Sequence, residues 1–217
     1  MSAPVASDPR ISRLGLDELT ELAATPPLQP RAQSFVFLRH GATDGNVTKI
    51  YQRFDQELNT LGLDQARAAA AALVAYGGIR RIVASDMNRA WRTAGIVGEA
   101  LGLAPTVEIR LRERWFGDLV GTSSANLDWR LDPPNGDKLT DFIVRTRAGF
   151  AAALDTDAST LIVAHGGNLY VLAAALGVTL EVEHMHNANP LAFHRDGGAW
   201  RIQPLIAHPL DGLLAPS

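Results

Sequence analysis

The stretch Ser34-Phe-Val-Phe-Leu-Arg-His-Gly41 decides the fold predicted for this chain. Its first five residues form a short and almost wholly apolar run, which is typical of a strand buried on both faces of a parallel sheet. Residues 81–85 and 160–164 repeat this pattern, and stretches with helical spacing lie between the three runs. The alternation predicts an α/β fold, namely a three-layer α/β/α sandwich with a mostly parallel central sheet.

The other elements of the domain follow from hydrophobic spacing and from the positions of glycine. Helices are expected at residues 63–76, 88–101, 140–154 and 168–176. Residues 190–194 and 199–203 are joined by Gly197-Gly198, which predicts a hairpin at the edge of the sheet.

Residues 1–33 are expected to form an N-terminal extension to a single domain over residues 34–217. Leucines at near-helical spacing predict a short amphipathic helix within residues 12–24, and prolines at positions 26, 27 and 30 end it and form a linker. The extension lacks the apolar segment of a secretory signal. The longest apolar run, residues 68–76, is well short of the roughly 18 residues of a membrane span. A cytoplasmic protein without a membrane partner is expected.

Composition excludes several classes of protein. The 217 residues include 20 Lys and Arg against 23 Asp and Glu, a net charge of −3, which gives no general attraction to nucleic acid. There are no cysteines, so disulfide frameworks, zinc fingers and thiol catalysis are excluded. Any anion site must therefore be built locally, from a few side chains.

Such side chains follow the three apolar runs. The first run leads into Arg39-His40-Gly41, the second into Ser85-Asp86 with Arg89 soon after, and the third into His165-Gly166-Gly167. Because ligands bind beyond the carboxyl ends of parallel strands, these residues are expected at one edge of the sheet. A single histidine at a strand end is more often structural, but two histidines and two arginines at three strand ends indicate a site.

These residue types are suited to phosphoryl transfer. A neutral imidazole can attack phosphorus, and two guanidinium groups match phosphate oxygens with paired hydrogen bonds. A second histidine can donate to a phosphoryl oxygen, and Gly41 and Gly166 would let the backbone approach the anion. The chemistry needs no metal and no cofactor. It does need a proton donor for the leaving alcohol.

The chain resembles the histidine phosphatase superfamily, which includes the cofactor-dependent phosphoglycerate mutases. Four blocks carry the resemblance, in the family's order and over residues 35–203: Arg39-His40-Gly41 with Thr43 and Asn46, Ser85–Ala90 with Thr93-Ala94, Leu111-Arg-Glu113 with Phe116-Gly117 and Gly121, and Ala164-His165-Gly166. The resemblance implies a phosphoglycerate mutase-like fold.

The resemblance also assigns roles to residues. It implies that His40 is the phosphorylated nucleophile and that Arg39, Arg89 and His165 form the phosphate pocket. Glu113 would be the proton donor and then the base that activates water; the alternative is a solvated loop carboxylate beside two arginines. The substrate-binding set would be Gly41, Thr43, Asn46 and Gly166, although Thr43 and Asn46 have an equal case as residues that fix the loop.

Three positions depart from the family pattern. Ala42 stands where an acidic or amide residue often follows the triplet, Gln52 replaces a glycine, and Val120 replaces a glutamate. None belongs to the inferred catalytic set. Because these stretches border the leaving group, the identity of the substrate is left open.

The predicted function is metal-independent hydrolysis of a phosphomonoester through a phosphohistidine. The expected partner is a small phosphometabolite such as a sugar phosphate, and a homodimer is left open. A phosphoglycerate mutase would need a second anion site, but residues 121–138 are short and acidic and offer only Arg130. A phosphoprotein phosphatase, or a protein that binds phosphate without catalysis, would also be compatible with these motifs.

Two further features carry less weight. His184 and His186, with Glu181 and Glu183 nearby, could present two imidazoles to a metal, but they lack a third ligand pattern, so no metal site is predicted. The four tryptophans have no basic residues interleaved and are expected to serve as packing or pocket walls.

Overall fold

The structure is a computed structural model that describes residues 14–207. Six strands form one sheet: β1 Ser34–Arg39, β2 Arg81–Ala84, β3 Pro105–Val107, β4 Thr160–Ala164, β5 Pro190–Asp196 and β6 Ala199–Pro204. The α-helices of this part of the chain are α1 Leu16–Ala24, α2 Asp44–Val47, α3 Thr60–Tyr76, α4 Asn88–Leu101, α5 Leu139–Leu154 and α6 Gly166–Leu176. Short 3₁₀ turns at Ile109–Leu111, Gly117–Leu119 and Val182–Met185 complete the elements.

The sheet is mostly parallel, as predicted. Its strand order is β3-β2-β4-β1-β5-β6, and the first four of these strands run parallel. Strand β5 lies antiparallel to β1, and β6 pairs antiparallel with β5 at the edge, which confirms the hairpin. The three strands that end in polar motifs, β2, β4 and β1, are adjacent, so their carboxyl ends meet.

Strand β1 shows why the sandwich has three layers. Successive side chains of a strand point to opposite faces. Phe35 and Phe37 pack with α5 and α6 on one face, whereas Val36 and Leu38 pack with α3 and α4 on the other. All four side chains are fully or almost fully buried. The near-continuous apolar run of the sequence is thus a strand covered on both sides, and the predicted fold class is confirmed.

The predicted helices lie where the spacing placed them, with differences at their starts. Helix α3 begins at residue 60 rather than 63, because the Asn59 side chain caps it by accepting from the Gly62 N–H. Helix α6 begins at Gly166 rather than 168, since β4 leads into it through a single residue, His165. Helix α4 has the predicted bounds.

Helix α1 is packed onto the domain. Its Leu19 and Ala23 are fully buried in a cluster with Trp129, Phe142 and Val171. The chain after α1 runs back over the same face, where the Leu28 N–H donates to the Ala175 carbonyl at 2.8 Å and the Ala32 N–H to the Leu154 carbonyl at 3.0 Å. The helix predicted within residues 12–24 is therefore present from residue 16; residues 12 and 13 lie outside the described residues.

Two glycines hold the loop after β1 against the start of α3. A Cβ on Gly41 would lie 2.3 Å from the Gly62 carbonyl oxygen, and a Cβ on Gly62 would lie 2.0 Å from the Ala42 carbonyl oxygen. Neither position can hold a larger residue without moving backbone. The motif suggested that Gly41 is needed for close approach to an anion, but the structure explains it by this helix contact. Any contact between Gly41 and substrate stays a prediction.

We expect Gly62→Ala to lower the free energy of unfolding by about 1–3 kcal/mol and to reduce any activity that depends on His40, because the added methyl group must displace the loop that carries His40. The matched control is Gly95→Ala in α4, where a Cβ meets nothing within 4 Å. That variant should gain about 0.5–1 kcal/mol, since alanine is favoured over glycine in a helix. Urea unfolding of both variants checks this; equal stability would contradict the proposed clash.

Candidate active site

The carboxyl ends of the central strands bring the predicted residues to one place. Arg39 ends β1 and His40 follows it, His165 follows β4, and Ser85 follows β2. The ring centroids of His40 and His165 lie 5.1 Å apart. A cavity of about 340 Å³ opens beside His40, and its walls include Arg39, His40, Asn46, Arg89, Glu113 and Gly166. His165 is fully buried and does not line this cavity. Residues from four separate parts of the sequence thus converge, as predicted.

His40 is held as a neutral imidazole with one nitrogen lone pair directed away from the backbone. The residue is only 3% exposed, and its Nδ1 lies 2.7 Å from the Gly41 carbonyl oxygen. Because a carbonyl only accepts, Nδ1 carries the proton and Nε2 carries the lone pair. Burial, together with the charges of Arg89 and Arg39, holds the pKa of His40 well below its usual range. At neutral pH, Nε2 is therefore an unprotonated nucleophile.

The side chain of Arg89 donates a hydrogen bond to that nitrogen. Its Nε–H donates to His40 Nε2 at 3.2 Å, and its Nη1 donates to the Arg53 carbonyl at 3.1 Å. The side chain is buried, which lowers its pKa to about 10, while the nearby Glu113 carboxylate acts in the opposite direction. Arg89 is thus charged at neutral pH. A phosphoryl oxygen arriving at His40 would meet a guanidinium already directed at the attacking atom.

Arg39 is the last residue of β1 and reaches the cavity from the end of that strand. Its Nη1 donates to the Met185 carbonyl, and a Cβ on Gly166 would lie 3.6 Å from its Cζ. The residue is partly exposed and lines the cavity. Gly166 thus leaves room beside the guanidinium of Arg39, in keeping with its predicted place at the phosphate. Both arginines depress the pKa of His40, as expected for cations close to the ring.

His165 is fully buried and is positioned by Ser85. The Ser85 Oγ lies 2.9 Å from His165 Nε2 and also accepts from the Met87 N–H at 3.3 Å. His165 Nδ1 is buried with no hydrogen-bond partner in the described part of the chain. Burial and then the charge of Arg89 keep the pKa of His165 well below its usual range. Because Ser85 Oγ already accepts from the Met87 N–H, we expect its hydroxyl to donate to Nε2 of His165, which would leave the ring proton on the buried Nδ1.

Glu113 lies in the cavity wall with its carboxyl group fixed by backbone. Its Oε2 accepts from the Gly167 N–H and its Oε1 from the Arg114 N–H, both at 3.0 Å. The side chains of its neighbours in sequence bond elsewhere: Arg112 donates to Asp86 at 2.7 Å, and Arg114 donates to backbone carbonyls. The carboxyl group is thus fixed in the cavity wall and is not a solvated loop carboxylate; its acid–base role stays a prediction.

Gly167 is a site residue that the sequence motifs did not single out. A Cβ there would lie 2.3 Å from Glu113 Oε1 and 3.0 Å from both Phe142 Cζ and Trp129 Cη2. Only glycine lets the first turn of α6 meet the carboxyl group. The signal was present in the sequence as a second glycine after His165. Asn187 was also missed; its Nδ2 donates to the His40 carbonyl at 2.8 Å.

Thr43 and Asn46, the two predicted ligands in the loop after Gly41, differ in their surroundings. Thr43 is fully buried and caps α2, and its hydroxyl lies within hydrogen-bond distance of Asn46 Oδ1 and of Gln52 Oε1. Asn46 lines the cavity. The structure therefore shows that Thr43 fixes the loop, and any contact between Thr43 and substrate stays a prediction. Gln52, which replaces a family glycine, fills the space at Gly45, where a Cβ would lie 2.5 Å from its Cγ.

The two histidines considered for a metal do not act together. His184 is buried, and its Nδ1 accepts from the Glu181 N–H at 2.9 Å. His186 lines the cavity instead. Within residues 14–207, no group of three or more His, Asp or Glu side chains is arranged to hold a metal ion.

Among the helices of residues 14–207, none combines the length and the hydropathy that a membrane-spanning helix needs.

Comparison with known families defines the class. A sequence profile of the histidine phosphatase superfamily (branch 1) matches residues 35–206. The chain belongs to this superfamily, and the resemblance stated from its motifs is confirmed. The predicted enzyme class, a phosphomonoesterase, is supported by relatives that are named phosphatases.

The relatives include both phosphatases and a mutase. The chain is 38% identical over 173 residues to glucosyl-3-phosphoglycerate phosphatase of Mycobacterium tuberculosis, which covers 67% of this chain and 76% of the relative. It is 30% identical over 167 residues to a 2,3-bisphosphoglycerate-dependent phosphoglycerate mutase of Allorhizobium ampelinum, covering 66% and 79%. The solved structure of a mycobacterial glucosyl-3-phosphoglycerate phosphatase with VO3 matches 80% of this chain and 98% of that one, at 33% identity and a TM-score of 0.64.

We expect Ser85→Ala to slow phosphoryl transfer about 5- to 30-fold, the effect of losing 1–2 kcal/mol, because His165 loses the group that fixes its tautomer. Histidine ¹⁵N chemical shifts should show Nδ1 of His165 protonated in the wild type and a tautomer mixture in the variant. Ser159→Ala, just before β4 and away from the cavity, is the control. An unchanged tautomer in Ser85→Ala would contradict this role.

Proposed function

We propose that this chain hydrolyses a small phosphomonoester without a metal, through a phosphohistidine formed on Nε2 of His40. The observation that carries the proposal is the state of His40: a neutral imidazole of fixed tautomer, bonded to Arg89 and facing the same cavity as Glu113. The lone pair of His40 Nε2 is bonded by Arg89, a cation that would also attract a phosphate.

In the first step, Nε2 of His40 attacks phosphorus and the bond from phosphorus to the ester oxygen breaks. Arg39, Arg89 and His165 stabilise the negative charge on the phosphoryl oxygens, and Glu113, in its protonated form, gives its proton to the leaving alkoxide. In the second step, Glu113 takes a proton from water, the water oxygen bonds to phosphorus, and the N–P bond breaks. Inorganic phosphate leaves and the site returns to its first state.

The position of Arg130, outside the cavity and paired with Asp128, favours hydrolysis over a mutase reaction. This arginine is the only one between residues 121 and 138, and it is exposed and paired with Asp128 at 2.8 Å. It does not line the cavity. The segment that would hold a second anionic group in a mutase therefore supplies no guanidinium to the site. The higher identity to the phosphatase relative agrees with this choice.

The cavity size favours a small metabolite over a protein side chain. A volume of about 340 Å³ is close to the lower limit for ligand pockets and suits a compact sugar or hydroxy-acid phosphate. The relative from Mycobacterium tuberculosis is named for glucosyl-3-phosphoglycerate, a phosphate ester of this kind. The cytoplasmic location stays a prediction, and the oligomeric state stays open.

The central test is to trap the phosphoenzyme. Rapid quenching of wild type with ³²P-labelled substrate should give an acid-labile, base-stable phosphoprotein, and His40→Ala should form none and lose turnover. His194→Ala, on β5 away from the cavity, is the matched control and should behave as wild type. Turnover by His40→Ala would overturn the mechanism, whereas a wild type that binds phosphate but forms no phosphoenzyme would indicate a silent binding protein.

We expect Glu113→Gln to separate substrates by leaving group. General-acid help is worth about 10²–10⁴-fold and matters most for a basic alkoxide. Single-turnover bursts should therefore slow strongly for an aliphatic phosphate and much less for p-nitrophenyl phosphate, whose phenolate leaves without a proton. Glu99→Gln, exposed on α4, is the control. Equal burst losses for the two esters would remove Glu113 from the acid role.

A further inference from the structure

The backbone that carries Glu113 is held differently from the rest of the site. His40 and His165 directly follow strands and Arg89 lies in α4, whereas Glu113 neither lies in nor directly follows a strand or an α-helix. The 3₁₀ turn Ile109–Leu111 ends two residues before it. The position of Glu113 therefore depends on the groups that bind the backbone of residues 110–115, which we call the acid segment.

The guanidinium of Arg145, on helix α5, binds three carbonyls of the acid segment. Its Nη1 donates to the Arg112 carbonyl at 2.8 Å and to the Arg110 carbonyl at 3.0 Å. Its Nη2 donates to the Glu113 carbonyl at the longer distance of 3.4 Å. One side chain from α5 thus fixes the backbone up to and including Glu113.

Asp137 holds Arg145 in place and binds the acid segment as well. Its Oδ2 accepts from Nη2 of Arg145 at 2.8 Å and from the Trp115 N–H at 3.0 Å. The guanidinium carbon also lies 5.4 Å from the ring centroid of Phe142, which is on the same helix. The backbone on both sides of Glu113 is therefore bonded to one ion pair.

Asn168 connects the acid segment to the turn that carries His165. It is fully buried; its Nδ2 donates to the Arg112 carbonyl at 3.4 Å, and its Oδ1 accepts from the His165 N–H at 3.2 Å. The carbonyl that Arg145 binds most closely is thus also bonded to the first turn of α6. Arg145 acts where the acid segment meets that turn.

Arginine is suited to this position because its planar group carries five N–H donors in a fixed arrangement. It can bind several carbonyls and a carboxylate at once, whereas the compact ammonium of lysine keeps the charge without that reach. Arg145 does not line the cavity. Any effect on the reaction must therefore pass through the residues that it holds.

We propose that Arg145 is a positioning residue that fixes Glu113 against the phosphate pocket and so controls proton delivery to the leaving group. This inference rests on the proposed function, in which Glu113 is the general acid, and adds a residue to it. The phosphate pocket is built on the strand ends and on α4. A change at Arg145 should therefore impair protonation of the leaving group and leave binding of the phosphoryl group unchanged.

The test measures how phosphoenzyme formation depends on the leaving group. Para-substituted phenyl phosphates differ in the pKa of the departing phenol but little in size. The logarithm of the single-turnover burst rate is plotted against that pKa. A proton donated in the transition state makes the slope shallow, and a misplaced donor makes it steeper. A loss of stability alone does not change this slope.

We expect Arg145→Lys to steepen the slope and to slow the burst about 10- to 100-fold for the most basic phenol, since a misplacement of about 1 Å can cost 10²-fold. Competition by vanadate, which occupies the phosphate pocket, should be unchanged. In Glu113→Gln the slope should be at its steepest, and adding Arg145→Lys to it should steepen the slope no further.

Arg147→Lys is the matched control. Arg147 lies two residues later on α5, and its guanidinium also holds backbone carbonyls, those of Ala23 and Pro26. This variant should keep the wild-type slope even if it unfolds at a lower urea concentration. If Arg145→Lys does not fold, Asp137→Asn removes the charge that holds Arg145 and should steepen the slope to a smaller extent.

The outcomes separate this role from the proposed function. If Glu113→Gln steepens the slope but Arg145→Lys does not, or if Arg147→Lys steepens it equally, the positioning role is wrong and the acid role of Glu113 stands. Loss of vanadate competition in Arg145→Lys would also contradict a role confined to Glu113. If Glu113→Gln leaves the slope unchanged, or wild type forms no phosphoenzyme, the proposed mechanism is wrong and the positioning role fails with it.

Discussion

The hydrogen bond between Nδ1 of His40 and the carbonyl oxygen of Gly41 sets the conditions that the rest of the site meets. It leaves one nitrogen unprotonated, because burial first, and then the charges of Arg89 and Arg39, disfavour an imidazolium and hold the pKa of His40 well below its usual range. The backbone that supplies this carbonyl must therefore be rigid. The crowded contact between Gly41 and Gly62, the cap on α3 and the donor from Asn187 all immobilise the same loop.

The sequence predicted the parts of this protein that depend on periodicity. Apolar runs such as residues 34–38 indicated the strands, because a strand covered on both faces has no polar side to interrupt it. The polar residues after those runs indicated the convergence of His40 and His165, because parallel strands end at one edge. Glu113 was different: it follows no strand, and only the family resemblance assigned its role.

What the sequence did not predict depends on contacts between distant segments. Nothing near Gly167 indicates that a carboxyl group 54 positions earlier lies against its N–H. The same is true of the 80 positions between Ser85 and His165. For Gly41, the motif predicted contact with an anion, and the structure adds a packing reason, the contact with Gly62, because a motif shows that a small residue is present without showing which neighbour requires it. Thr43 had two open roles, and the sequence could not show that it is completely buried and bonded within the loop.

The packing of α1 has a consequence for how this enzyme could diverge from its relatives. The superfamily profile begins at residue 35, yet Leu19 and Ala23 of α1 support Trp129, which forms a wall of the cavity. The backbone of Leu14 also accepts from the Trp129 N–H at 2.9 Å. One wall of the cavity therefore depends on a stretch of the gene that lies outside the profile. We expect substitutions in this leading segment to change the shape of the cavity beside Trp129, while the strand ends that carry His40 and His165 stay unchanged.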